Sequence, residues 1–369
     1  MRILLVNWQD PENPRAGGAE LHLFEIFRRL SARGDRIHLV TSGWPGAKAR
    51  AEVQGISIER HGGRHSFALR GRGAVRRALG REPWDIVVED INKLPLYLAS
   101  LTRLPFCAII PHLFGTTAFQ EAAWPTAVTV AAAELPIRRI YRRAGFHAIS
   151  ESTRDDLLRR GIPGARIRVI HPGIDAQSYA PASGLDRTQP PTFLYVGRLK
   201  RYKGVELAIR ALALARRERP DLSLDIAGTG DDAGRLQRLA RELGLGGAAR
   251  FHGFVSEQRK RELFRAATAN LFPSPKEGWG LTVMEAAASG TPSLASDSPG
   301  LRDSVQDGVT GYLVPHGEAE SLARRMLELA GDPALVARLG AAARRLAESW
   351  SWDDAAAATA AHLAELVAE

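Results

Sequence analysis

Short apolar runs along this chain are each followed by a stretch of helical periodicity, and the alternation recurs in both halves. Runs near Ile3–Asn7, Ile37–Thr41, Ile86–Glu89, Phe106–Pro111, Phe146–Ser150 and Arg168–His171 make one set. Runs near Thr192–Val196, Ser223–Ala227, Arg250–Phe254, Ala269–Phe272, Pro292–Ala295 and Tyr312–Val314 make a second. Strands alternating with helices predict βαβ units, hence a parallel sheet covered by helices on both faces. Pro172, Gly173, Pro181, Gly184, Pro190 and Pro191 interrupt any regular element between the two sets. The chain therefore reads as two doubly wound α/β domains, and its 369 residues suit that number at about 150 residues each. Ligands of such sheets bind beyond the carboxyl ends of the strands. Two sheets facing each other would place a site in an inter-domain cleft.

Charge is unevenly divided. The formal net charge is +9, and the whole excess lies in residues 1–180, with 26 Lys and Arg against 17 Asp and Glu. Arg60, Arg64, Arg70, Arg72, Arg76, Arg77 and Arg81 fall in a segment without an acid. Such a run reads as a solvated face or as a patch for an anionic partner. The lone Cys107 sits in an apolar run, which excludes an intrachain disulfide and a cysteine zinc site. The start of the chain is too short in apolar residues for a secretory signal, and no run approaches a membrane span. These features lead us to expect a cytoplasmic protein, with peripheral attachment at the inner face of the membrane as a further expectation.

The most specific chemical signal is the segment Glu277-Gly-Trp-Gly-Leu-Thr-Val-Met-Glu285. Leu281–Ser289 has helix-forming composition and stops at Gly290. A helix starting near Gly280 aims backbone N–H groups and a positive dipole end at whatever faces Gly280 and Leu281, which suits phosphate. An acidic loop before an ordinary surface helix would have the same spacing. A second element, Gly197-Arg198-Leu199-Lys200-Arg201-Tyr202-Lys203-Gly204, follows the strand Thr192–Val196. Arg198 can fork two phosphate oxygens, and Lys203 adds a compact charge. Lys200 and Arg201 read as solvated. A third element, Gly228-Thr229-Gly230, allows a close backbone approach to a ligand.

Together with Phe251-His-Gly-Phe-Val255 and Gly17-Gly18-x-Glu20, these segments resemble, in order, the family 4 glycosyltransferases, retaining sugar-nucleotide enzymes of the GT-B fold. The resemblance implies an acceptor-side domain at 1–171, a linker at 172–191, a donor-nucleotide domain at 192–352, and a terminal helix near 353–369 packed back on the first domain. It implies that Arg198 and Lys203 hold the donor diphosphate, Glu285 the ribose and Glu277 the transferred sugar. Phe254 and Val255 would border the base, with Gly230, Gly280 and Leu281 in the donor site. Gly17 and Gly18 would lie near the donor phosphates and the acceptor. His112, at a strand end, would contact the reacting sugar or acceptor. Fixed cations beside a departing diphosphate can replace a metal ion, and the sequence has no Asp-x-Asp triplet. The donor is thus expected to be a nucleoside-diphosphate hexose of UDP-glucose or GDP-mannose type, used without cofactor or metal.

Two other readings compete. A dinucleotide oxidoreductase would need Gly-x-Gly-x-x-Gly after its first strand, and Asn7-Trp8-Gln9-Asp10 stands there. A non-enzymatic scaffold would use Arg60–Arg81 to bind anionic lipid or nucleic acid. Nucleic acid is not the partner we expect; a hydroxyl acceptor, anionic or lipid-linked, is. Phe119, Trp124 and Arg138, Arg139, Arg142 and Arg143 mark a region suited to covering an acceptor or lying on a membrane, and core packing would account for its apolar residues equally well.

Overall fold

The computed structural model describes residues 1–115, 119, 124–181 and 189–369. Part of the expected linker and most of the segment between Gly115 and Trp124 lie outside the described residues. The chain divides into two compact units, Met1–Gly173 with Trp352–Glu369, and Ile174–Ser351.

The first unit is built on an eight-stranded sheet. Its strands are β1 (Arg2–Val6), β2 (Arg36–Thr41), β3 (Arg50–Val53), β4 (Ile56–Arg60), β5 (Ile86–Asp90), β6 (Phe106–Ile110), β7 (Gly145–Ala148) and β8 (Ile167–Val169). Their order is β3-β4-β2-β1-β5-β6-β7-β8. All pairings are parallel except β3 with β4. That hairpin is absent from the sequence-based expectation. It closes through Gln54 and Gly55, both at positive φ, as a tight hairpin turn requires.

Alternation along the strands divides the core. Leu4, Val6, Val40, Val87, Ala108 and Ile110 cluster with Phe67, Val75 and Ala78 of the helix Phe67–Leu79. On the helix Gly18–Ala32, Leu23, Ile26, Phe27 and Leu30 are buried. Each such side chain contributes about 1.5–3 kcal/mol of burial free energy. The helix Trp352–Ala368 packs against Gly18–Ala32, and its Leu366 occupies the space a Cβ on Gly145 would need, 2.6 Å away. Cys107 is buried on β6, and its thiol is pushed up to about 12 by burial, so it is chemically inert.

The second unit carries a six-stranded sheet of β9 (Thr192–Val196), β10 (Ser223–Ala227), β11 (Ala249–Gly253), β12 (Ala269–Phe272), β13 (Ser293–Ser296) and β14 (Gly311–Val314). The order is β11-β10-β9-β12-β13-β14, parallel throughout. The direction of winding reverses between β9 and β12, so the loops after these two strands diverge and leave room for a ligand. Both units are thus doubly wound, as the alternation of runs predicts.

Candidate functional site

Two of the segments singled out in the second half meet at that switch point. β9 delivers Gly197–Gly204 and β12 delivers the segment from Pro273 to Gly280. Across the gap Lys203 Nζ donates to Glu277 Oε1 at 2.6 Å, with both side chains largely buried. The ammonium also lies 5.2 Å from the Tyr202 ring centroid and 5.7 Å from that of Phe272. Burial by itself would lower the Lys203 pKa, but Glu277 and the Tyr202 hydroxyl hold it above the ordinary value. It is therefore a fixed cation at any physiological pH. Arg198 is exposed, and among the described residues its guanidinium has no carboxylate partner. Lys200, in contrast, is bound to Asp231 at 2.6 Å, in keeping with its exclusion from the site.

The loops are held by contacts that tolerate no Cβ. One on Gly228 would stand 1.9 Å from the Gly197 carbonyl oxygen, and one on Gly230 would stand 2.0 Å from that of Leu199. Leu199 N–H donates to Thr229 O, and Asp232 N–H to Leu199 O. The Gly-x-Gly element thus lets one loop of the protein approach another, and this packing accounts for Gly230. Gly300, at positive φ, meets the Glu277 carbonyl in the same way, while Glu277 N–H donates to Pro299 O.

Gly280, also at positive φ, starts the helix Leu281–Ala288, and no side chain caps that end. Glu285 lies one turn inside and is buried. Its Oε1 accepts from Lys260 Nζ at 2.8 Å and from the Tyr179 hydroxyl at 2.9 Å. Burial raises its pKa, and Lys260 and Tyr179 oppose the rise. Glu257 Oε2 lies 3.0 Å from the same hydroxyl, so the two carboxylates share its single proton. Tyr179, Glu257 and Lys260 escape sequence reasoning because no motif links positions so far apart. Trp279 escapes it too: its ring packs edge-on against Trp350 at 5.5 Å, fixing the glycine-rich turn from below. Phe254, just past β11, is 85% exposed, a flat apolar surface beside half-buried Val255. A cavity of about 530 Å³ lies at the opposite edge of this sheet, near Pro191, Thr268 and Gly290, away from all of these groups.

In the first unit, Gly17 N–H donates to Glu20 Oε2 at 2.8 Å at the start of the helix Gly18–Ala32, and His112 follows β6 half-buried against Phe114. Both lie at the carboxyl edge of that unit's sheet.

The basic run needs correction. Arg60 is buried in β4, bound to Asp10 at 2.8 Å and Glu12 at 2.6 Å. Arg81 pairs with Glu59 at 2.8 Å, and Arg72 donates to the carbonyls of Leu96 and Tyr97. Arg60 is held inside the fold and Arg72 is half-buried, whereas Arg81, though paired, is exposed, as are Arg64, Arg70, Arg76 and Arg77. The acid-free stretch of sequence misleads because its partners come from Asp10, Glu12 and Glu59, outside the run.

Comparison with known proteins decides the family. Residues 16–178 match the model of Glycosyltransferase Family 4, and residues 180–346 match that of Glycosyl transferases group 1. This chain belongs to the family 4 glycosyltransferases. A D-inositol 3-phosphate glycosyltransferase of Streptomyces avermitilis is 38% identical over 212 residues, covering 53% of this chain and 46% of the relative. The chain spans about half the length of the curated relatives it matches. Among solved structures, a sucrose-phosphate synthase of Thermosynechococcus elongatus superposes with a TM-score of 0.85 at 23% identity, covering 100% of this chain and 99% of the other. Anabaena HepE in complex with UDP and glucose gives 0.79 at 19% identity, covering 99% and 100%. The fold of this family 4 glycosyltransferase is therefore GT-B.

Proposed function

We propose that this chain transfers a hexose from a nucleoside-diphosphate sugar, of UDP-glucose or GDP-mannose type, to a hydroxyl acceptor with retention of anomeric configuration and without a metal ion. The observation that carries the reading is the Lys203–Glu277 pair at the β9–β12 switch point together with Arg198, whose guanidinium has no carboxylate partner among the described residues. Breaking the anomeric bond leaves its electron pair on the diphosphate oxygen. Arg198 and Lys203 would stabilise that charge, and fixed donors of this kind typically supply about 3–4 kcal/mol each. The Gly280–Leu281 helix start adds backbone N–H groups. Glu277, oriented by Lys203, would accept hydrogen bonds from hydroxyls of the transferred sugar. Glu285, set by Tyr179 and Lys260, would accept from the ribose, and the exposed Phe254 ring would meet the base. In a front-face route the acceptor oxygen bonds to the anomeric carbon on the side the phosphate leaves, and its proton passes to the phosphate. That route uses no protein nucleophile. Gly17, Gly18 and His112 would serve the acceptor.

Peripheral contact with an anionic membrane is supported by the helix Trp124–Glu134 and the turn that follows it. Trp124 is 72% and Leu135 79% exposed, and Val128 shares the Trp124 face. Arg138, Arg139, Arg142 and Arg143 are exposed beside them. Apolar side chains next to a cationic cluster suit a bilayer of acidic lipid. Among the described residues no helix is long and apolar enough to cross a membrane.

A screen of sugar nucleotides by mass-spectrometric detection of released nucleotide tests the reading. One donor should respond, and Glu285→Ala should suppress that response. Release from none of the panel would overturn it.

A further inference from the structure

The backbone that carries His112 is gripped on both sides. Ahead of it, the buried Thr153 hydroxyl donates to the Pro111 carbonyl at 3.0 Å. Behind it, the N–H groups of Phe114 and Gly115 donate to the two oxygens of one carboxylate, Glu134 Oε1 at 2.6 Å and Oε2 at 2.9 Å. Gly115 stands at φ +52°, which lets two successive N–H groups converge on one anion. Between the grips Leu113 is buried, and the His112 ring meets that of Phe114 edge-on at 4.9 Å.

Glu134 itself is 3% exposed and is the last residue of the helix Trp124–Glu134. A carboxylate at that end meets the negative pole of the helix, so helix formation gives no reason for one there. What compensates the buried charge is the pair of loop N–H groups together with Arg160, whose Nη2 lies 3.1 Å from Oε2. Arg160 is fixed in turn by Asp156 at 3.1 Å. Were the loop to shift, the carboxylate would stay buried with donors missing, a heavier cost than the loss of a neutral loop hydrogen bond. A neutral side chain would anchor a loop with less electrostatic cost. The charged clamp instead makes one loop position much deeper than its neighbours.

We propose that Glu134 is the positioning residue for His112: its carboxylate fixes the two N–H groups that follow His112 and so sets the place of the imidazole for the transfer step. Buried as it is, Glu134 acts only through the loop. The inference rests on the reading that His112 touches the reacting sugar or the acceptor.

The test compares Glu134→Gln, Thr153→Val, His112→Ala and the combination of His112→Ala with Glu134→Gln, all in the full chain. Glutamine keeps one oxygen and puts an amide where the other was, so one N–H loses its acceptor with little change in volume. With the donor that responds in the screen, Glu134→Gln should lower kcat about tenfold to a hundredfold while KM for the donor stays within about twofold. In the His112→Ala background the same substitution should cost less than about twofold more. Peptide mass spectrometry after brief treatment with diethyl pyrocarbonate gives a readout that needs no turnover. His112 should be modified about threefold faster or more in Glu134→Gln, and His38, half-buried on β2 of the same unit, at an unchanged rate. Thr153→Val, which breaks the other grip and leaves Glu134 matched, should give the same pattern at smaller size, and it decides the matter if Glu134→Gln does not fold. Unchanged kcat in Glu134→Gln, losses that multiply across the two backgrounds, His112 modified no faster than in the wild type, or equal acceleration at His38 would overturn the proposal. If no donor responds, or His112→Ala turns over at the wild-type rate, the parent reading falls, and the modification rates decide by themselves whether Glu134 holds His112 in place.

Discussion

At the scale of single residues, the candidate site is an electrostatic device whose parts differ in how they are held. Lys203 is locked by Glu277 and two rings, whereas the exposed Arg198 guanidinium has no carboxylate partner among the described residues. Lys203→Ala should therefore do two things: lose a leaving-group cation and leave Glu277 without its partner. We expect kcat/KM for nucleotide release to fall by two to three orders of magnitude for either Arg198→Ala or Lys203→Ala, and Lys203→Ala alone to lower the melting temperature as well. Treatment with EDTA should leave the same release rate unchanged. Gly228→Ala has a different expected signature. Its Cβ would stand 1.9 Å from Gly197 O, so stability should drop by about 2–3 kcal/mol in denaturant titration. The residue types at Arg198, Lys203, Glu277 and Glu285 were readable from the sequence because each stands in a short local pattern. Tyr179 and Lys260 were not, because their contacts with Glu285 arise only when distant segments fold side by side.

Elements were legible to the extent that their hydrophobic period was unbroken. Every expected strand of the second unit is present. Its buried strands alternate apolar residues with buried polar ones, Asp225 in β10 and Asn270 in β12 among them, so short length and the glycines and prolines around them mark the strands as much as hydrophobicity does. The β3–β4 hairpin was missed because polar residues alternate through it and its turn uses Gln54 before Gly55, a weaker signal than Asn or Asp would give. The same hairpin misplaced Arg60, which it buries. Two element-scale outcomes follow from packing. Gly145→Ala should loosen the helix Trp352–Ala368 by pressing on Leu366, and because the obstruction is a side chain and not backbone, adding Gly145→Ala to Leu366→Ala should lower the melting temperature less than it does in the wild type. Sedimentation with phosphatidylglycerol vesicles should fall sharply when Trp124→Ser is combined with Arg138→Glu and Arg139→Glu. Arg76→Glu with Arg77→Glu should have a smaller effect, there being little exposed apolar surface beyond Leu69 on that helix.

For the whole molecule, the response to acid depends on buried histidines. The first unit buries His22, His147 and His362 together: the His22 and His147 rings meet edge-on at 5.7 Å, and neither His22 nitrogen has a partner among the described residues. Burial pulls His22 down to about 4, and holds His147 well below and His362 below the usual 6.5. As pH falls below 6.5 the unfolded chain takes up protons that the folded unit refuses. Stability is then lost by about 1.4 kcal/mol per pH unit for each such group, until the folded form itself protonates. Glu89, raised to about 7 by burial, and Asp90, raised by burial and Glu20, act in the opposite direction because the folded unit takes up their protons first. The histidine contribution is therefore read as a difference: calorimetry between pH 6.5 and 4 should show the first unit's transition losing less temperature, or gaining more, in His22→Phe than in the wild type.

The allocation of Trp352–Glu369 to the first unit also bears on the order of assembly. As the ribosome delivers the chain, residues 174–351 emerge as an uninterrupted block and can reach their final packing while the earlier-made sheet still lacks a helix to cover Gly145. The part translated first is completed last. Until then, the apolar surface that Leu366 will seal stays open to chaperones.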